Sequence, residues 1–204
     1  MIFDVSMSID KNIQVYKNAD EKTPIFKTIA NHQEDNYHET KLMMNLHTGT
    51  HVDYPLHMIK EGKTSDTESL NKLIGSCKVI DFTDCEEKIS QADLEKHQIE
   101  EDDLLLFKTK NSFTDKFIFD FTYLDSSGAK YLKEKQVRGV GTDGLGIERN
   151  QKDHNTHKIL LGADIVIIEG LRLKDIQPKK YQMYCLPLKI KAVEANPARV
   201  ILID

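Results

Sequence analysis

The stretch "DIVIIEGL", residues 164–171, constrains the fold more than any other. Ile165, Val166, Ile167 and Ile168 run together without the polar alternation of a half-solvated strand. Such a run reads as a strand buried on both faces, so the sheet it joins must be covered on each side. "DLLLFKT" repeats the pattern, and helix signals lie between such runs. "SQADLEKHQ" offers Ser90 as an N-cap, "TYLDSSGAKYLKEKQ" contains its own cap residues, and "NTHKILLGA" can start from Asn155 or Thr156. Further strands are expected at "MIFDVSMSI", "LMMNLHTGTHVDYP", "CKVIDFT", "YQMYCLPLKI" and "ARVILID", whereas residues 12–41 read as mostly polar, irregular chain. The pattern predicts one α/β domain, residues 1–204, with a mixed central sheet flanked by helices.

Composition narrows the function. With 28 Lys+Arg against 33 Asp+Glu the formal charge is -5, and no basic stripe exists to follow phosphates, so no nucleic-acid partner is expected. No apolar run approaches the roughly 20 residues needed to cross a bilayer, and no membrane partner is expected. The N-terminus has acids where a signal peptide has a basic start. The three cysteines, Cys77, Cys85 and Cys185, form no C-x-x-C pair and read as reduced thiols. A cytoplasmic location is the expectation.

"HTGTHVDYPLH", from His47 to His57, holds three histidines and an aspartate. On a strand His47, His51 and Asp53 share a side, with Leu42, Met44 and Leu46 turned toward the core on the other. A straight strand would separate His47 from His51 by about 13 Å. Two ligands of one zinc, each about 2 Å from it, cannot stand so far apart. The chain must therefore bend, and Gly49 and Pro55 permit it. The competing reading is an ordinary polar loop, since all these residue types belong in loops.

Glu169 ends the apolar strand. It is either paired or metal-bound, or it simply reaches the surface turn that Gly170 begins. His157, at the start of "THKILLGA", is alone a surface residue of a first turn. Together they change meaning, because a helix feeding a strand can bring its first turn to the edge where open α/β folds gather their sites. His47, His51, Asp53, His157 and Glu169 would supply three nitrogen and two carboxylate ligands, enough for two ions with bridging carboxylates. Ligands of this kind suit zinc or manganese. His57 is left for proton transfer, or as a further ligand.

On these residues the chain resembles the cyclase-like family of metal-dependent hydrolases, whose best-studied members are bacterial kynurenine formamidases (arylformamidases). The family pattern H-x-G-T-H-x-D-x-P-x-H stands complete as "HTGTHVDYPLH". "HKILLGADIVIIEGL" and the closing "LPLKIKAVEANPARVILI" match later segments. The resemblance implies a swivelling β/β/α fold and assembly as a dimer or tetramer. It implies that His47, His51 and Asp53 bind one of two divalent ions, with Asp53 shared; zinc is the first expectation and manganese the second. It further implies that His157 binds the second ion, that Glu169 bridges both, and that His57 is the proton donor and acceptor. The formamidases hold their substrate with an early tryptophan that this chain lacks, and Tyr16 is the nearest counterpart, a substrate-binding candidate. "GTDGLGIE" keeps Gly141, Asp143 and Glu148 of the middle segment but has Gly146 where serine is common.

The expected activity is hydrolysis of a small non-peptide amide, arylformamidase-like, converting N-formyl-L-kynurenine to kynurenine and formate. A cyclic-amide (isatin-type) hydrolase or lactonase would use the same centre. A metal-stabilised binding protein without turnover is the reading from another class.

Overall fold

The computed structural model describes residues 1–67 and 69–204. In chain order it contains strands β1 (Ile2–Asp4), β2 (Ile25–Ala30), β3 (Glu39–Met43), β4 (His51–Asp53), β5 (Ile74–Asp81) and β6 (Lys88–Ile89), then helix α1 (Gln91–Leu94). β7 (Leu104–Lys108), β8 (Tyr123–Leu124), α2 (Ser126–Glu134), β9 (Gly139–Thr142) and α3 (Asn155–Gly162) follow, and β10 (Val166–Glu169), β11 (Lys180–Pro187) and β12 (Ala195–Ile203) end the chain.

The main sheet runs β1-β12-β11-β5-β7-β9-β10-β4, and β4 pairs a second time with β12. That second pairing closes the sheet on itself. The fold is therefore the expected α/β domain with a mixed sheet, but the sheet is barrel-like, with β5, β7, β9 and β10 parallel and the rest antiparallel. Closure sorts each strand's side chains into two cores. Leu104, Leu106, Val166, Ile168, Met183 and Val200 fill the interior. Leu105, Phe107, Val140 and Ile167 point outward against Leu94 of α1, Ala129 and Leu132 of α2, and Leu160 and Leu161 of α3. Every residue of β7 is buried, as its unbroken apolar run requires.

Local chemistry sets the helix starts. Ser90 and Asp93 close a capping box on α1, and the Asp125 carboxylate accepts from the Ser127 and Gly128 amides to start α2. α3 departs from expectation: its N-cap is His154, in left-handed backbone, and neither Asn155 nor Thr156 serves as cap.

Two further expectations are corrected. Residues 12–41 are not all irregular, because β2 pairs antiparallel with β3 in a separate two-stranded ribbon. Leu42 and Met43 on that ribbon are exposed, so this flank does not turn toward the core. The strand expected over residues 42–55 is broken into β3 and β4, with turns between Asn45 and Thr50.

Candidate metal centre

The floor of the site follows from strand register. Across the β4–β10 pair Asp53 stands opposite Ile167, and His51 opposite Glu169. Opposed residues of an antiparallel pair share a face, and Ile167 belongs to the outer, helix-side core. His51, Asp53 and Glu169 therefore project outward at the end of β10, and all three are buried. The first turn of α3 brings buried His157 to the same place.

His47 reaches the site through the bend before β4. Gly49 sits at φ +71° and Gly170, just past β10, at φ +70°, both in the left-handed region that favours glycine. The two turns pack backbone to backbone: a Cβ on Gly170 would stand 2.5 Å from the Gly49 carbonyl oxygen. The Thr50 hydroxyl, donating to the Gly170 carbonyl at 2.6 Å, fastens them.

Nitrogen and oxygen atoms converge on two points. His47 Nδ1 lies 3.1 Å from Asp53 Oδ1 and 3.1 Å from His51 Nε2. His51 Nε2 lies 3.4 Å from Asp53 Oδ1 and 3.4 Å from Glu169 Oε2. Beyond the carboxylates, His157 Nε2 is 3.5 Å from Asp53 Oδ2 and 3.3 Å from Glu169 Oε1. Yet both Asp53 oxygens and His157 Nε2 are buried without an aligned hydrogen bond, a costly condition for polar atoms. Donors held at 2.0–2.1 Å by a tetrahedral ion stand about 3.3–3.4 Å apart, the edge of the tetrahedron. The donor set thus fits divalent cations in chemistry and in spacing. One could be held by His47, His51, Asp53 Oδ1 and Glu169 Oε2, and another by His157, Asp53 Oδ2 and Glu169 Oε1.

The charges agree with this geometry. Burial pushes the Asp53 carboxyl up, but His157, His47 and His51 outweigh it and hold it well below the usual carboxylate range. Glu169 is likewise held at about 2 by His157 and His51, against burial and its neighbour Asp53. Burial lowers His51, yet Asp53 and Glu169 drive it to about 10, and His157 rises for the same reason with Glu148 added. Protons on these rings occupy positions a cation would take, so cation binding must release them.

A second ring of groups aims the candidate ligands. Glu148 is buried and accepts from His157 Nδ1 at 2.7 Å, from His154 Nδ1 at 3.0 Å and from the Thr156 amide at 3.0 Å. His157 therefore keeps a proton on Nδ1, so that release of the Nε2 proton turns a lone pair toward Asp53 and Glu169, the usual carboxylate–histidine arrangement behind a metal. His51 Nδ1 donates to the Gly49 carbonyl at 2.9 Å with the same consequence. His47 Nε2 faces Glu194 at 3.6 Å.

His57 ends a 3-10 turn, Pro55–His57, with its ring centroid 4.3 Å from that of His47 and 5.5 Å from that of His157. Its ring makes no hydrogen bond among the described residues. Burial, helped by His47 and His157, lowers it below its ordinary value even though Asp53 acts in the opposite direction. His57, His47, His157 and Glu169 line a cleft of about 350 Å³ together with Tyr16, Leu145 and Gly146. All seven residues expected at the site are thus brought together. Glu148, His154 and Glu194 were not expected there. Glu148 alone had a signal, as an acid closing a glycine-rich turn. The three cysteines are free and belong to none of the histidine–carboxylate clusters among the described residues.

Comparison with known proteins agrees with the architecture. Residues 3–149 match the family model described as "Cyclase". A kynurenine formamidase of Sphingopyxis alaskensis is 33% identical over 159 residues, covering 77% of this chain and 76% of its own. A solved structure described as a "predicted metal-dependent hydrolase" from Bacillus stearothermophilus is 47% identical, covers 99% of this chain and 97% of its own, and superposes with a TM-score of 0.91. Isatin hydrolase A of Labrenzia aggregata shares the fold at a TM-score of 0.86 and 22% identity, with 99% and 93% of the two chains covered. The chain belongs to the Cyclase family, and its buried imidazole–carboxylate set is that of a metal-using enzyme.

Proposed function

We propose that the protein is a metal-dependent hydrolase of a small non-peptide amide, most closely an arylformamidase acting on N-formyl-L-kynurenine. The observation that carries this reading is the convergence of three imidazole nitrogens on two buried, doubly facing carboxylates at the floor of a cleft. His47, His51, Asp53, His157 and Glu169 would hold two divalent ions, zinc first and manganese second. Bound there, such ions supply Lewis-acid polarisation of a carbonyl and a lowered pKa for water.

The chain's own residues do the rest. Glu148 and the Gly49 carbonyl fix the tautomers of His157 and His51, so the ligand face does not reorganise during reaction. Water adds to the carbonyl carbon, the C–N bond breaks, and a proton must reach the departing nitrogen. His57 is the group for that transfer: it lines the cleft, its ring makes no hydrogen bond among the described residues, and its lowered pKa keeps it able to accept a proton at neutral pH. Tyr16 contributes to the pocket wall.

Homo-oligomerisation belongs to the same reading. It is supported by Ile25, Phe26, Ile29, Leu42 and Met43, exposed on the β2–β3 ribbon, and light scattering on the purified protein tests it. A cytoplasmic location is supported by the three free thiols. No helix among the described residues is long and apolar enough to cross a membrane.

The deciding experiment is metal analysis of the purified protein with a side-by-side assay of N-formylkynurenine, isatin and a small lactone. Two equivalents of metal and cleavage of the formamide are expected. Preference for isatin or the lactone would move the substrate to a ring-opening class, and metal without turnover of any of the three would sink the enzymatic reading.

A further inference from the structure

The acids of the cleft are all engaged. Glu148 holds His157 and His154, Glu169 faces His51 and His157, and Glu194 faces His47. One cation in the lining, Lys22, has no carboxylate within ion-pair distance among the described residues. It ends a 3-10 turn, Asp20–Lys22, and its carbonyl accepts from the hydroxyl of Thr48, beside His47. Its ammonium lies 5.0 Å from the centre of the Tyr16 ring.

Tyr16 is built to carry that ammonium. Its ring meets Phe117 and Phe121 edge-on, with centroids 5.3 Å and 6.3 Å away. Lys17 approaches the same ring at 5.5 Å and is pinned through Nζ to Asn150 Oδ1 at 2.7 Å. Lys17 and Asn18 both adopt left-handed backbone, a conformation non-glycine residues keep only where the surroundings hold it. Two phenyl groups and two ammoniums thus flank the ring. Lys22 is the one of these cations that lines the cleft, in a cation–π contact and with no counter-ion among the described residues.

Resting on the amide-hydrolase reading above, we infer that Lys22 determines specificity by pairing with a negative charge on the substrate. The preferred class is then aryl amides that bear a carboxylate away from the scissile bond. Lys22 touches none of the reacting groups; it selects and orients through that distant charge. A half-buried lysine with no carboxylate partner among the described residues gains more from an anion than a fully solvated surface lysine does.

The test uses the metal-loaded enzyme and its Lys22→Met and Lys22→Arg variants. Substrates are formanilide and its ortho-, meta- and para-carboxylated forms. Lys22→Met keeps the aliphatic stem over Tyr16. It is expected to lower the ratio of kcat/KM for the best carboxylated substrate over formanilide by about 10-fold, with the loss in KM, and Lys22→Arg should restore most of it. An unchanged ratio in Lys22→Met, or equal losses on neutral and carboxylated substrates, overturns the inference. Calorimetric titration with the matching aminobenzoates separates this from the reaction itself. If no formamide is cleaved, the formamidase reading falls, while a roughly 10-fold weaker aminobenzoate affinity in Lys22→Met still supports the charge subsite and an unchanged affinity refutes it.

Discussion

Glu148→Gln is the sharpest probe of the site, because the substitution keeps shape and removes one property. The carboxylate accepts three hydrogen bonds, from His157 and His154 at Oε1 and from the Thr156 amide at Oε2. Glutamine cannot accept all three. With its oxygen toward the histidines, its NH2 confronts the Thr156 N–H, and a buried donor at the start of α3 goes unsatisfied. With the amide flipped, the NH2 confronts His157 Nδ1 and moves that ring's proton to Nε2. The proton then points at Asp53 Oδ2 and Glu169 Oε1, where the lone pair belongs. Either outcome costs about 1–3 kcal/mol, and loss of such a supporting carboxylate weakens metal binding roughly 10–100-fold. Competition against a chromophoric chelator should show one ion weakened by that factor and the other, on the His47–His51 side, changed only a few-fold. Two ions retained at wild-type affinity would refute the reasoning, as would equal loss of both.

Other perturbations separate the remaining roles. His57→Ala should depress turnover by about 10²–10⁴-fold with both ions still bound, measured by steady-state kinetics beside metal analysis; loss of the ions would make His57 a ligand instead. Gly170→Ala places a methyl group on a left-handed residue against the Gly49 carbonyl, and a loss of about 2–4 kcal/mol in denaturant unfolding is expected, together with weakened metal binding. Asp143 is buried, and burial raises it to about 6 despite donors from Thr109 and Ser112. A folded-state value above the unfolded one favours the native state at low pH, and the advantage is lost as pH rises from about 4 through 6. Wild-type stability should therefore fall by up to about 3 kcal/mol relative to Asp143→Asn between pH 4 and 7, and parallel profiles would show that the donors keep the carboxylate ionised throughout.

The candidate ligands were legible in the sequence for a local reason. Four of the six histidine and carboxylate positions lie within "HTGTHVDYPLH", where the strand period of His51 and Asp53, the turn at Gly49 and the 3-10 turn that Pro55 begins bring them together. Glu148 was marked only as an acid closing a glycine-rich turn, and its task was not legible, since that is defined by His157, a neighbour it acquires only through tertiary folding. The cap of α3 illustrates the same conflict. Asn155 and Thr156 are the residues local chemistry would choose, but the helix begins one residue earlier at a left-handed His154, and Glu148 satisfies the Thr156 amide instead. The β2–β3 ribbon escaped because its strands are exposed and so lack the alternation burial imposes. Barrel closure escaped because it depends on β4 pairing twice, which no single segment records.

The site's register is nevertheless set by the apolar residues threaded through it. Along β4 and just beyond, His51, Val52, Asp53 and Tyr54 alternate, and Val52 and Tyr54 are buried in the interior core. A one-residue slip of β4 against β10 would preserve most backbone pairing. It would also turn Val52 toward α3 and drive His51 and Asp53 into the barrel beside Ile168 and Leu106. There the ionised aspartate would have neither an imidazole nor a cation beside it, a burial far more costly than the valine's loss of contacts. On the β12 side Ala195 and Asn196 meet Asp53 and Val52 in the same alternation, so both neighbours of β4 enforce one alignment. The hydrophobic alternation that builds the barrel is therefore also what delivers the two carboxylates to the outer face, opposite the first turn of α3.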